Sequence, residues 1–98
     1  MTGDERFTLE RALAVIEGDT ELLEQLVVLG LCERRDEGFS VAEVELMRVA
    51  RVLVRELDVN WPGVEIILHM REELMATQRQ MAELVELVRS RERHGGPG

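Results

Sequence analysis

From Val64 to Arg91 the sequence contains neither proline nor glycine and consists mostly of Leu, Met, Glu, Arg, Gln and Ala, with scattered Val and Ile. Most of these residues are strong helix formers. Such a run of about 28 residues, rising about 1.5 Å per residue, predicts a rod of roughly 40 Å. A chain of 98 residues leaves room for only one small domain beside it, too small to cover the rod. The start of the rod is marked by Leu57-Asp58-Val59-Asn60-Trp61-Pro62-Gly63-Val64, which holds the only Trp of the chain. Asn60 or Trp61 can serve as the N-cap, and Pro62 falls in the first turn, where its missing N–H and fixed φ cost little.

Within the rod, Ile67, Met70, Leu74, Thr77, Met81, Leu84 and Val88 follow alternating spacings of three and four, an a/d seam over about three heptads. The first half of the seam can fold back on the domain. The second half, Met81, Leu84 and Val88, is the expected self-association surface of a homodimer. Thr77 and Gln78 weaken the middle, and the alternative is one amphipathic helix packed within a monomer.

Upstream, Thr8 can cap a short helix carrying Leu9, Ala12, Leu13 and Ile16 at helical period. Glu17-Gly18-Asp19 then reads as a tight turn, with Asp19 capping a second helix, Thr20 to Leu29, whose Leu22, Leu23, Leu26 and Leu29 point inward. Gly30 is placed to end it in the left-handed conformation. Two short helices joined by such a turn form a helix-turn-helix pattern. Leu31-Cys32-Glu33-Arg34 and Gly38-Phe39 flank Arg35-Asp36-Glu37 and predict a small β-hairpin, or wing. Ser40 and Glu43 form the capping box of a third helix running to about Leu57. Its buried face draws on Val44, Leu46, Met47, Ala50, Leu53, Val54 and Leu57, while Glu45, Arg48, Arg51 and Arg55 form a solvated stripe. The expected organisation is a flexible N-terminus (1–6), a domain (7–61), a long C-terminal helix (62–92) and a flexible tail (93–98).

The net charge of −8 comes from 20 acidic and 12 basic residues, and every basic residue is Arg. Residues 1–30 hold seven acids against two Arg, a net of −5, so the acidity is concentrated around the first two helices. That balance argues against non-specific nucleic-acid binding, which neutralises phosphates with cations, and favours a cationic partner surface. A single cysteine, Cys32, excludes an internal disulfide and suits a reducing compartment. No apolar run approaches a membrane span, and Met1-Thr2-Gly3-Asp4-Glu5-Arg6 does not read as a signal peptide, so a cytoplasmic protein is expected. No catalytic constellation is present: Ser40 is explained as a cap, His69 sits on the rod and His94 in the tail. Neither enzymatic activity nor a metal or cofactor is expected.

The order of helix, turn, helix, wing, a Phe39-Ser40-x-x-Glu43-Val44 helix and a last helix starting near Gly63-Val64 resembles the winged helix-turn-helix of the MerR family. The resemblance implies a mainly all-α fold with a small β-hairpin wing and a long C-terminal helix. In that family the second helix presents Arg and aromatic residues to DNA. Here its solvent-facing positions are Glu21, Glu24 and Gln25, with Asp19 at the cap, and carboxylates are repelled by phosphate.

Three segments match a branch of this architecture better. They are the acidic helix Asp19-Thr20-Glu21-Leu22-Leu23-Glu24-Gln25-Leu26-Val27-Val28-Leu29-Gly30-Leu31, the tract Arg55-Glu56-Leu57-Asp58-Val59-Asn60-Trp61-Pro62-Gly63-Val64, and the Glu-, Leu-, Met- and Gln-rich rod. Over roughly residues 8–90 the chain resembles the CbpM family of chaperone modulators, with the Trp-Pro-Gly block as the specific part. The resemblance implies a J-domain co-chaperone of the CbpA/DnaJ type as partner, bound so that its action on a DnaK-type chaperone is regulated, in the sense of inhibition. Glu17, Asp19, Glu21 and Glu24 are then either a solvated face or the docking surface for the basic helix of the J-domain. Trp61 either pins the third helix to the rod or anchors a partner. DNA is not the expected partner; the alternative function is a dimeric MerR-like transcription regulator using Arg34 and Arg35.

Overall fold

The computed structural model describes residues 5–94. The chain is mainly α-helical: β1 (Arg6–Phe7), α1 (Leu9–Val15), α2 (Thr20–Val28), β2 (Phe39–Ser40), α3 (Val41–Arg51), a π-helical segment (Val52–Glu56) and α4 (Trp61–His94). It divides into two compact units, Met1–Val64 and Glu65–Gly98.

Each helix of the first unit begins at a residue whose side chain satisfies a backbone N–H that the helix leaves unpaired. Thr8 Oγ1 accepts from the Arg11 N–H at 3.2 Å, and Asp19 Oδ1 accepts from that of Leu22, also at 3.2 Å. Ser40 and Glu43 close the expected capping box at the start of α3. Asn60 caps α4, accepting the Gly63 N–H at 2.9 Å.

Helices α1 and α2 end alike. The Leu31 N–H donates to the Leu26 carbonyl at 2.8 Å and that of Gly30 to the Val27 carbonyl at 3.0 Å, with Gly30 at φ +77°. This is the Schellman arrangement, in which a left-handed residue turns the chain back onto the last carbonyls. At the end of α1 the same bonds run from Gly18 to Leu13 and from Glu17 to Ala14, but the left-handed position is filled by Glu17, at φ +57°.

Between these ends the apolar faces close one core. Ala12 of α1 and Ile16 at its C-cap, Leu22, Leu23 and Leu26 of α2, and Met47 and Ala50 of α3 are essentially inaccessible, joined by Phe39 and Cys32. Burial pushes the Cys32 thiol up to about 12, because an apolar surrounding penalises the thiolate.

Five expectations need correction. The wing is not a hairpin within residues 31–39: β2 pairs antiparallel with β1, Arg6 opposite Ser40 and Phe7 opposite Phe39. The backbone donors of the expected first arm are engaged elsewhere. Leu31 and Cys32 both donate to the Leu26 carbonyl, and the Glu33 N–H donates to Glu43 Oε2 at 3.2 Å. Gly38 makes the observed pairing possible, since at φ +85° it passes so close to β1 that a Cβ would lie 2.2 Å from the Phe7 carbonyl oxygen. Arg6 therefore belongs to a strand and not to a loose N-terminus, and residues 1–4 lie outside those described.

Leu57, expected on the buried face of the third helix, is 63 % exposed. The π-helical segment holds more residues per turn than an α-helix, so Leu57 does not return to the face of buried Leu53. Its N–H donates five residues back, to the Val52 carbonyl at 3.0 Å. The Arg stripe is not simply solvated, because Arg51 and Arg55 are held by carboxylates. Finally, α4 continues through Arg93 and His94, beyond the expected end near residue 92; residues 95–98 of the expected tail lie outside those described.

In the second unit, α4 carries Met70, Leu74, Met81, Leu84 and Val88 with roughly half of each side chain exposed. Thr77, in the middle of this row, donates its hydroxyl to the Glu73 carbonyl at 3.0 Å, a local bond that satisfies the side chain without a partner helix.

Candidate functional site

Helix α2 has two opposite faces. Leu22, Leu23 and Leu26 are buried, whereas Glu21, Glu24, Gln25 and Val28 recur at i, i+3, i+4 and i+7 and form one outward ridge. Val28 is 76 % exposed, a large apolar surface at the end of an acidic row. Arg55 of the π-helical segment and the half-buried ring of Trp61 stand beside the ridge, and together these six residues line an open groove of about 360 Å³.

The Asn-Trp-Pro-Gly tract positions the ring. Asn60 caps α4 through its side chain and also accepts the Val64 N–H on its carbonyl at 2.9 Å. Pro62 occupies the second helical position, where no donor is lost. A Cβ on Gly63 would lie 2.9 Å from Val59 Cγ1 and 3.0 Å from Asn60 Oδ1. A side chain at the third position would therefore have to displace the Val59 and Asn60 side chains that meet there, and the cap holds Trp61 at the first turn beside α2.

The four acidic residues of the expected docking surface have different surroundings. Asp19 caps α2 and is gripped by Arg55 through two nitrogens, at 2.8 and 3.1 Å. The Arg55 hydrogen bond holds its carboxyl below the usual range, against the opposing effect of burial and with help from the Leu22 N–H. Glu17 pairs with Arg51 at 3.2 Å, and Arg51 also meets Glu56 at 3.4 Å. The π-helical segment accounts for that second contact, since residues five apart share a face where the helix bonds i to i+5. Glu21 approaches Arg55 only at 3.7 Å and is 88 % exposed. Glu24 is exposed and has no ion pair among the described residues. The ridge thus offers Glu21 and Glu24 outward, while Glu17 and Asp19 tie the turn between α1 and α2 to the end of α3.

Arg51 and Arg55 read from the sequence as solvated positions, whereas both are ion-paired. The available signal was two Arg one helical turn apart in a chain whose acids crowd the α1–α2 turn.

Arg34 and Arg35 differ as well. Arg35 is held between Glu33 and Glu43, each at 3.4 Å. Burial works to raise the Glu43 carboxyl, but the Ser40 and Glu33 N–H groups and the Arg35 charge outweigh it and lower the value. Arg34 is exposed without an ion pair among the described residues. One free guanidinium beside Asp36 and Glu37 gives little phosphate affinity.

On α4, Met81, Leu84 and Val88 share a face with Met70 and Leu74, all exposed. Among the described residues no group of three or more His, Cys, Asp or Glu is placed to hold a metal ion, and no helix is long and apolar enough to cross a membrane. No protein-family model matches the chain, and neither the curated proteins nor the solved structures compared with it contain a match.

Proposed function

We propose that this protein is a CbpM-like chaperone modulator. Its first unit is a MerR-like helix-turn-helix in which α2 faces a protein in place of DNA, with the loop 31–38 and the β1–β2 pair in the position of the wing. Its partner is the J-domain of a CbpA/DnaJ-type co-chaperone, and by covering the basic helix of that domain it inhibits stimulation of a DnaK-type chaperone. The observation that carries this reading is the ridge of α2: two exposed carboxylates, Glu21 and Glu24, next to Val28 and the Trp61 ring. Opposite charge speeds encounter and selects the partner, while burial of the apolar pair supplies affinity. A DNA-reading helix at this place needs cations, and α2 has none. The exposed row Met81, Leu84 and Val88 supports pairing of α4 with a second copy, because a continuous apolar stripe is stable in water when another helix covers it.

Titration of the protein with a purified J-domain, and separately with duplex DNA at physiological salt, tests the reading. Binding to the J-domain is expected, weakened about tenfold or more by Glu21→Arg with Glu24→Arg. Salt-sensitive DNA binding without J-domain binding supports the transcription-regulator alternative and overturns the proposal.

A further inference from the structure

The docking groove already contains a cation of its own. Arg55 crosses from the π-helical segment to α2, grips Asp19 with two nitrogens, and brings Nη2 to 3.7 Å from a Glu21 oxygen. The two contacts are unequal. The first is a bidentate pair with a carboxylate that also caps the helix, and such forked pairs are the strong ones. The second is long, single and exposed, the kind of ion contact worth least in water. One turn further on, Glu24 pairs with no cation among the described residues, and beyond it lie the exposed Val28 and the Trp61 ring.

We propose that Arg55 is an internal competitor for a partner's cation, half-occupying the seat at Glu21 and Glu24 and so selecting a helix that presents a guanidinium or ammonium group one turn from an apolar side chain. This rests on the docking reading above and specifies what the groove recognises. A cation arriving alone gains little against water and must also approach the Arg55 charge. An apolar neighbour seated on Val28 and against Trp61 excludes water from the new ion pair and strengthens it. Glu24 and Val28 are four residues apart on α2, so the matching groups on a partner helix are also one turn apart. Because Asp19 retains the guanidinium, Arg55 can leave Glu21 without leaving the site, and docking requires no unfolding.

Calorimetric titration of the full chain tests this with two probes, a purified J-domain and a synthetic amphipathic helical peptide carrying Arg and Leu one turn apart. The proteins compared are wild type, Arg55→Gln, Arg55→Lys, Glu21→Gln and the double variant Arg55→Gln with Glu21→Gln. Arg55→Gln is expected to tighten both probes about threefold to tenfold through loss of the competing contact and of the nearby like charge. Glu21→Gln should remove that gain in the double variant and cost less in wild type. Arg55→Lys, too short to span Asp19 and Glu21 together, should tighten binding by less, and it serves if circular dichroism shows the Gln variant misfolded. In wild type the Arg55 Nε–H resonance should shift when either probe binds. Unchanged or weaker affinity in the folded Arg55 variants, or an unmoved Arg55 resonance, overturns the proposal. A J-domain that binds every variant alike overturns the competitor but not the docking reading. Binding of the peptide alone, tightened by Arg55→Gln, overturns the J-domain reading but not the competitor. Binding of neither probe overturns both.

Discussion

Asp19 separates holding the fold from holding a partner. Its carboxylate accepts the Leu22 N–H at 3.2 Å and the Arg55 guanidinium at 2.8 and 3.1 Å. Asp19→Ala removes the cap as well as the ion pair, and loss of a cap alone costs about 1 kcal/mol. For a domain of this size that lowers Tm by about 4–8 °C. Asp19→Asn keeps an oxygen for Leu22 and loses only the charge, so it should melt between wild type and Asp19→Ala. The pH dependence identifies the charge. The folded carboxyl sits below its usual range, so it stabilises the protein above the unfolded value, about 3.9. That contribution disappears as the pH falls through the lower folded value. The gap between wild type and Asp19→Asn should therefore be full at neutral pH and close below about pH 4. Melts at one fixed protein concentration, paired with J-domain titrations, provide the assay. Glu24→Gln should leave Tm within the change caused by about 0.5 kcal/mol and weaken binding. If Asp19→Asn melts like wild type yet binds the J-domain less well than Glu24→Gln, Asp19 is a docking residue and its assignment as a clasp is wrong.

Gly30→Ala and Gly38→Ala both place a side chain at positive φ, but a Cβ on Gly30 meets open space whereas one on Gly38 collides with the Phe7 carbonyl. The first should cost about 1–2 kcal/mol and the second clearly more, with loss of the β1–β2 amide protection in hydrogen exchange; equal costs would refute the close approach. Cys32, buried with its thiol raised to about 12, should resist alkylating reagents at pH 8 until denaturant is added, and rapid native labelling would contradict the burial. Leu84→Glu with Val88→Glu should shift sedimentation to the monomer while α4 stays helical, since Glu is a good helix former; an unchanged sedimentation coefficient would exclude this seam as the dimer contact.

The helix starts were legible in the sequence because capping is local. Thr8, Asp19, Ser40 and Asn60 each lie within three residues of the N–H they satisfy. Gly30 was legible for the same reason. What escaped depends on groups far apart along the chain. β2 finds its partner at Arg6 and Phe7, whereas the local pattern points to a hairpin between residues 31 and 39 because it does not show that the end of α2 and Glu43 take up its donors. Arg55 read as a solvated position because the carboxylate that holds it is 36 residues away. The π-helical segment carries neither proline nor glycine to announce it, so the α-helical period points Leu57 to a face it does not occupy. Of the candidate site, the acidic ridge was legible and the arginine within it was not.

The cap at Asn60 has a consequence for how α4 meets another helix. A helix that starts from its own side-chain cap, with a proline fixing φ in the first turn, has its first turn ordered before any encounter. Since α4 is helical from Trp61 to His94, the entropy that a disordered segment would surrender on association is lost on folding. Under the proposed pairing with a second copy, assembly through α4 would resemble the docking of a rigid part more than coupled folding. The speed of that proposed pairing should be set by orientation of the apolar stripe, and its reversal should release an intact helix.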